Sequence, residues 1–333
     1  MRSRQGTRNL LGKRWKGTSR KWWRTTTPLF HRSENERYTM IFATGLGVPE
    51  APVLMPDGGW LVVEMAPDRG CVTRVGSGGE IQEVLARTGR PNGLAVDAGG
   101  NIWIAESKEP SLLKLSADGV VETFLTTCNG DPFLFPNDLA FGPDGALFLT
   151  DSGILFDDFA PGGAVRPDWN DVAVDGRVYR IDVESKEITH VDAGIRFTNG
   201  VAIGCDGMLY ANETLTGNIF RYSLDGDHVG PRELFGNVLI PADDGSIRGP
   251  DGMKFAANGD LYVTVFGQGD VTVLETDGQV VNRIPTEGSF PTNLAFGPAG
   301  SQKIYVTEDE VGTIEVFEVG VDGAALYDGT PLG

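Results

Sequence analysis

The sequence predicts an all-β fold, a six-bladed β-propeller, and three observations predict it. One strand–turn–strand motif recurs six times, glycine and proline punctuate the chain throughout, and no stretch of 3.6-residue periodicity is long enough for a packed helix. The 333 residues include 46 Gly and 19 Pro, about a fifth of the chain, yet 40% is hydrophobic. That balance excludes disorder and coiled coil and suits short strands joined by tight turns.

The six copies are PEAPVLMPDGGWLVVEM (49–65), PNGLAVDAGGNIWIAES (91–107), PNDLAFGPDGALFLTDS (136–152), TNGVAIGCDGMLYANET (198–214), PDGMKFAANGDLYVTVF (250–266) and TNLAFGPAGSQKIYVTED (292–309). Each reads as an apolar strand, a glycine-bearing turn and a second, alternating strand. A further strand pair follows most of them, so each unit holds four short strands, the makeup of a propeller blade. With Glu50, Asn92, Asn137, Asn199, Asp251 and Asn293 as markers, the spacings are 42, 45, 62, 52 and 42 residues.

Closure is also readable. Residues 39–45 precede the first marker as residues 83–89 precede the second, so 39–44 is an outer strand whose own blade lies at the other end of the chain. Pairing it with the incomplete last blade, 292–319, closes the ring and removes an open edge. The propeller domain is therefore expected over 39–333, with residues 1–38 a basic extension outside the fold.

Charge divides the chain the same way. Residues 1–39 hold 11 Lys or Arg and 2 Asp or Glu; taking these from totals of 28 and 46 leaves 17 basic and 44 acidic residues beyond. A body carrying a net −27 repels phosphate backbones and anionic lipid, which excludes nucleic acid as a partner of the folded domain. The extension, with Trp15, Trp22 and Trp23 among cations, reads as a transit-like or nucleic-acid-binding tail, an interfacial anchor, or a segment upstream of a working start at Met40. No run of 18 apolar residues exists to span a membrane. Cys71, Cys128 and Cys205 are odd in number and lack metal spacing, so a reducing, cytoplasmic setting is expected.

The marker series is where chemistry enters. A purely structural position would favour one residue type, and Asn or Asp before a strand can simply cap a turn. Six oxygen-bearing side chains at one phase, two of them carboxylates, instead describe a ring of hard donors on the propeller axis. That ring suits Ca²⁺, with Mg²⁺ or Mn²⁺ as substitutes. Zn²⁺ would be a substitute at most, because His31, His190 and His228 all lie off this phase.

Glu64, Glu106, Asp151 and Glu213 stand fourteen residues after their markers, and Glu308 fifteen. The second strand returns to the face where the first began, so these acids are expected to rim the same mouth. The longest step contains GILFDDFAPGGAVRPDWND (153–171), whose Phe156, Phe159 and Trp169 are candidates to cover a substrate. Arg90, Arg196 and Arg248 precede markers by two or three residues and could hold a substrate carboxylate or hydroxyl, or pair with the many acids. Asn92, Arg90 and Trp169 are the expected substrate-binding residues.

Glu50 in PEAP, Asn137 in PNDLAF, Asn199 in TNGVAI and Asp251 in GPDGMKF, in this order, resemble the gluconolactonase/senescence-marker-protein (regucalcin-like) family over about residues 40–333. Glu50-Ala51-Pro52 departs from the usual EGP, keeping the acid without the glycine. The resemblance implies a divalent cation held by Glu50, Asn137, Asn199 and Asp251, and hydrolysis of lactones, with phosphotriester hydrolysis in the similar diisopropyl-fluorophosphatases. The LTDS stretch at 149–152 is similar to bacterial lactonases, where the acid matching Asp151 is a proposed proton-transfer group. A cation bound by amides and only two carboxylates keeps much of its charge and can polarise a carbonyl. A carboxylate, Asp251 or Asp151, would activate water. No GxSxG elbow offers a serine nucleophile. The partner is thus a small-molecule lactone or ester; the alternatives are a phosphotriester hydrolase and a non-catalytic Ca²⁺-binding scaffold.

Overall fold

A computed structural model describes residues 40–331; the basic extension and its three tryptophans lie outside the described residues. The strands form six four-stranded antiparallel sheets and two short two-stranded ladders. In the first blade the order is Pro49–Leu54, Trp60–Glu64, Cys71–Val75 and Ile81–Arg87, a simple meander. The other blades repeat it, and among the described residues two helical turns interrupt, Phe156–Phe159 and Pro161–Gly163.

The last blade is completed from the other end of the chain. Met40–Thr44 pairs antiparallel with Thr313–Glu318, Met40 opposite Val316 and Thr44 opposite Thr313. The predicted closure is therefore the observed one, and no blade is left short of a strand.

Burial along each blade follows distance from the axis. The second strands of the first four blades, such as Trp60–Glu64 and Leu147–Asp151, are buried at every residue, whereas the outer strand Ile81–Arg87 is largely exposed. The apolar residues of facing sheets form six clusters, one at each blade interface. Trp60 and Tyr305 seal the joint between first and last blades with ring centroids 4.2 Å apart. The core is thus a ring of sandwiches, and the axis is left to the ends of the six inner strands.

Those inner strands, Pro49–Leu54, Pro91–Val96, Pro136–Phe141, Thr198–Ile203, Gly249–Phe255 and Pro291–Phe296, adjoin one another around a closed circle. Each breaks register where its marker stands: Glu50/Val53, Pro91/Leu94, Pro136/Leu139, Thr198/Val201, Pro250/Met253 and Pro291/Asn293. A bulge re-aims side chains out of the sheet alternation. The glycine after a marker has its own reason. A Cβ at Gly200 would collide with the Asp251 carbonyl, and one at Gly252 with the Asn293 side chain, so the TNG and PDG signals record close approach of neighbouring blades.

Candidate metal and catalytic site

The bulges stand at the predicted ligands, and of these Glu50, Asp251 and Asn199 interact with one another. Glu50 and Asp251 lie on the first and fifth inner strands, yet each feels the other or their shared neighbours electrostatically. Burial first, then the Asp138 and Asp251 charges, push the Glu50 carboxyl well above its ordinary range. Asp251 is pushed up likewise by burial and Asp138, while an Asn199 side-chain hydrogen bond pulls it down. Three carboxylates around one axis repel unless a cation joins them.

Two relays orient the amides. Asn137 Nδ2 donates to Ser152 Oγ at 3.0 Å, and that hydroxyl donates to the Thr198 carbonyl at 2.9 Å. Asn199 Nδ2 donates to Thr214 Oγ1 at 3.2 Å, and Thr214 donates to the Pro250 carbonyl at 2.9 Å. Each hydroxyl spends its one proton on a carbonyl, so it can only accept from the asparagine. The amide nitrogen is thereby fixed and the amide oxygen left for another partner. Asn293, the sixth marker, donates to Glu50 Oε1 at 2.8 Å, and Glu50 Oε2 is buried with no hydrogen-bond partner.

An orphaned buried carboxylate oxygen, two amides with their nitrogens tied back, and a second carboxylate make a donor set that fits a hard divalent cation. Among the described residues no three His, Cys, Asp or Glu side chains are grouped to hold a metal. The fit therefore depends on the Asn137 and Asn199 amides.

The acids fourteen residues on are a different structure from the one expected, and the rim reading is corrected. They are buried, and each accepts from the backbone two or three residues before the marker of its own blade. The donors are Gly47 to Glu64 (2.8 Å), Arg90 to Glu106 (2.8 Å), Arg196 to Glu213 (2.6 Å) and Phe290 to Glu308 (2.9 Å). Asp151 accepts three, from Leu134 (2.7 Å), Phe135 (3.1 Å) and Gly153 (2.8 Å). They fasten the loop that delivers each inner strand, satisfying amides that a buried loop would otherwise strand. Burial raises the Asp151 carboxyl and these three bonds oppose the rise. With both oxygens engaged, its geometry does not favour the base role expected from sequence.

The 153–171 loop does reach the hub face. Phe159 packs with Phe135, Phe197 and Leu215, and the first two of these stand two residues before Asn137 and Asn199. Phe156 carries the Arg90 guanidinium 3.7 Å from its ring centroid. Trp169 is partly buried in the same cluster and its indole donates to the Gly245 carbonyl at 3.4 Å. The three arginines separate. Arg196 ties the loop down through Asn170, and Arg248 pairs with Asp244. Arg90 alone faces the hub: burial lowers it to about 10, opposed by the charges of Glu106, Asp309, Glu50 and Asp251. Asn92 is buried on its inner strand, and its side chain makes no hydrogen bond among the described residues.

Sequence reasoning missed Asp138, whose oxygens accept from Leu139 and Val201 N–H, and Asp309, which the Glu308 match overlooked by one residue. The Ser152 and Thr214 relays were findable, because hydroxyls recur directly after the fastening acid at Ser107, Ser152 and Thr214.

A family model, the SMP-30/Gluconolactonase/LRE-like region, matches residues 48–309. The chain belongs to that family. It is 26% identical over 293 residues to a gluconolactonase of Zymomonas mobilis, covering 80% of this chain and 78% of the relative. To a lactonase drp35 of Staphylococcus epidermidis it is 31% identical over 173 residues, half of each chain. Its fold superposes on a calcium-binding regucalcin of Agrobacterium tumefaciens with a TM-score of 0.69 at 20% identity, covering 89% of this chain and 97% of that one.

Proposed function

We propose that this family member is a divalent-metal-dependent hydrolase that opens a lactone, a sugar lactone or related ester. The observation that carries the reading is the donor set at the hub: orphaned Glu50 Oε2, the oriented oxygens of Asn137 and Asn199, and Asp251. Relatives named gluconolactonase and lactonase support the reaction, and the calcium-binding regucalcin supports Ca²⁺ as the ion, with Mg²⁺ or Mn²⁺ as substitutes. When bound, the cation supplies Lewis-acid polarisation of the ester carbonyl.

The rest is done by the chain. Arg90, braced by Phe156 and by its bond to Ser107 Oγ at 2.9 Å, presents a cation to substrate hydroxyl or carbonyl oxygens. Asn92 offers an amide beside it. Trp169 and the 153–171 loop cover the apolar side and exclude water. Asp251, expected from the sequence to activate water, serves here as a ligand, and the cation reduces its basicity.

A panel of sugar lactones, acyl lactones and a phosphotriester, assayed with and without EDTA, tests the reading. Lactone turnover lost on chelation and restored by Ca²⁺ is expected. Turnover indifferent to complete chelation overturns the metal; phosphotriester turnover alone, or none, selects the other readings of the site.

A further inference from the structure

Opening a lactone requires a group that takes a proton from the attacking water and returns one to the ring oxygen. On the lactonase reading, on which this inference rests, the hub carboxylates are already committed. Glu50 and Asp251 are the cation's ligands, and Asp138 and Asp151 have both oxygens bonded to backbone amides. Glu106 holds its loop through Oε1, and one further acid at the site is neither a ligand nor a fastener of a loop.

Asp309 donates its backbone N–H to the Phe290 carbonyl at 3.0 Å. The same bond places Met65 on Val48, Ser107 on Arg90, Ser152 on Phe135 and Thr214 on Phe197, so the five residues occupy one position in five blades. At two of those positions the side chain reaches the hub, because Ser152 and Thr214 bond the Asn137 and Asn199 amides. Asp309 puts a longer, acidic side chain in that place. It is half-buried, makes no side-chain hydrogen bond among the described residues, and lies in the field of Arg90 and Asp251.

We propose that Asp309 is the proton-transfer residue of lactone opening. Ionised, it takes a proton from water as the water oxygen bonds the carbonyl carbon. It then gives that proton to the ring oxygen as the C–O bond breaks. One water is consumed, nothing is oxidised or reduced, the product is a hydroxy acid, and Asp309 ends ionised as it began. Its surroundings suit the task. Burial and Glu308 raise its carboxyl to about 6, Arg90 pulls it down and Glu310 pushes it up, close to the working pH that favours general base catalysis.

The test uses the full chain loaded with Ca²⁺. Asp309→Asn and Asp309→Ser are compared with wild type, the serine copying what Ser107 and Ser152 place at this position so that the fold is kept. Expected are a kcat loss of about 10²-fold or more, the range of a lost acid–base group, a KM within about threefold, and Ca²⁺ affinity by calorimetry within about twofold. Formate should restore part of the rate to Asp309→Ala and none to Asp251→Ala. Either variant retaining kcat within about fivefold of wild type overturns the proposal and leaves the lactonase reading standing. A parallel loss of Ca²⁺ affinity overturns it too, by making Asp309 a holder of the ion. Wild-type protein that opens no lactone overturns the reading and the proposal together.

Discussion

Two rings of oxygen run around this propeller, alike in the sequence and opposite in chemistry. The fastening acids and the hub markers recur at fixed separation in nearly every blade, and all are buried except the half-buried Asp251. Four fasteners, Glu64, Asp151, Glu213 and Glu308, have both oxygens filled, and Glu106 takes two backbone N–H groups on Oε1 while its Oε2 is buried without a partner; all five hold the loops that feed the inner strands. The hub ring has oxygens to spare, with Glu50 Oε2 unpartnered and the asparagine nitrogens tied back by hydroxyls. With the exception of Glu106 Oε2, hydrogen-bond satisfaction rather than residue type or periodicity separates scaffold from site.

The contrast is broken or sharpened by substitution. The largest effect is expected at the hub. Asp251→Asn should weaken Ca²⁺ by about 10³-fold, roughly 4 kcal/mol, as measured by calorimetry. Glu50 and Asp251 also set a pH dependence. Their carboxyls are raised in the folded state, so the metal-free fold holds protons that the unfolded chain releases above about pH 4. Relative to Glu50→Gln/Asp251→Asn, metal-free wild type should lose stability progressively as pH rises from there toward 8, and saturating Ca²⁺ should remove the slope. A slope of the opposite sign in denaturant titrations would mean the two acids are already neutralised by the protein.

A fastener should behave otherwise. Asp151→Ala strands three backbone donors at about 1–3 kcal/mol for each left dry, and water entering the gap limits the total to about 3 kcal/mol. The melting temperature should fall, while Ca²⁺ affinity of the folded protein stays within about twofold. A folded Asp151 variant with full Ca²⁺ affinity and a hundredfold lower kcat would erase the distinction between the rings. The relay lies between these cases: Thr214→Val frees the Asn199 amide and should cost about 10-fold in Ca²⁺ affinity, the loss typical of an outer partner that orients a ligand. Smallest is Trp169→Ala, expected to raise KM about two- to fivefold with kcat unchanged, since its indole closes the loop rather than touching reacting atoms.

Much of the architecture could be read from the chain because a propeller is a local repeat. The residue 39–44 strand and its pairing with the last blade were legible since residues 83–89 gave a template for it. Glu50, Asn137, Asn199 and Asp251 were legible as candidate ligands because a repeat places equal phases at equal radius. Arg90 was not separable from Arg196 and Arg248, which share its spacing, until Phe156 and Asn170 showed which guanidinium faced the hub and which held the loop. Asp309 escaped because a one-residue longer turn drew attention to Glu308, whose oxygens accept from Phe290 and Val311.

The order of residues alone settled the number of blades, the way the circle is sealed and where the marker positions fall on the inner strands, for these depend on spacing and alternation within a few dozen positions. Which of the many acids keeps a lone pair uncommitted depends on partners from other blades, sometimes more than two hundred residues away, as with Asn293 and Glu50. No linear pattern encodes that, because a carboxylate's chemistry is set by the donors around it and only folding brings them near.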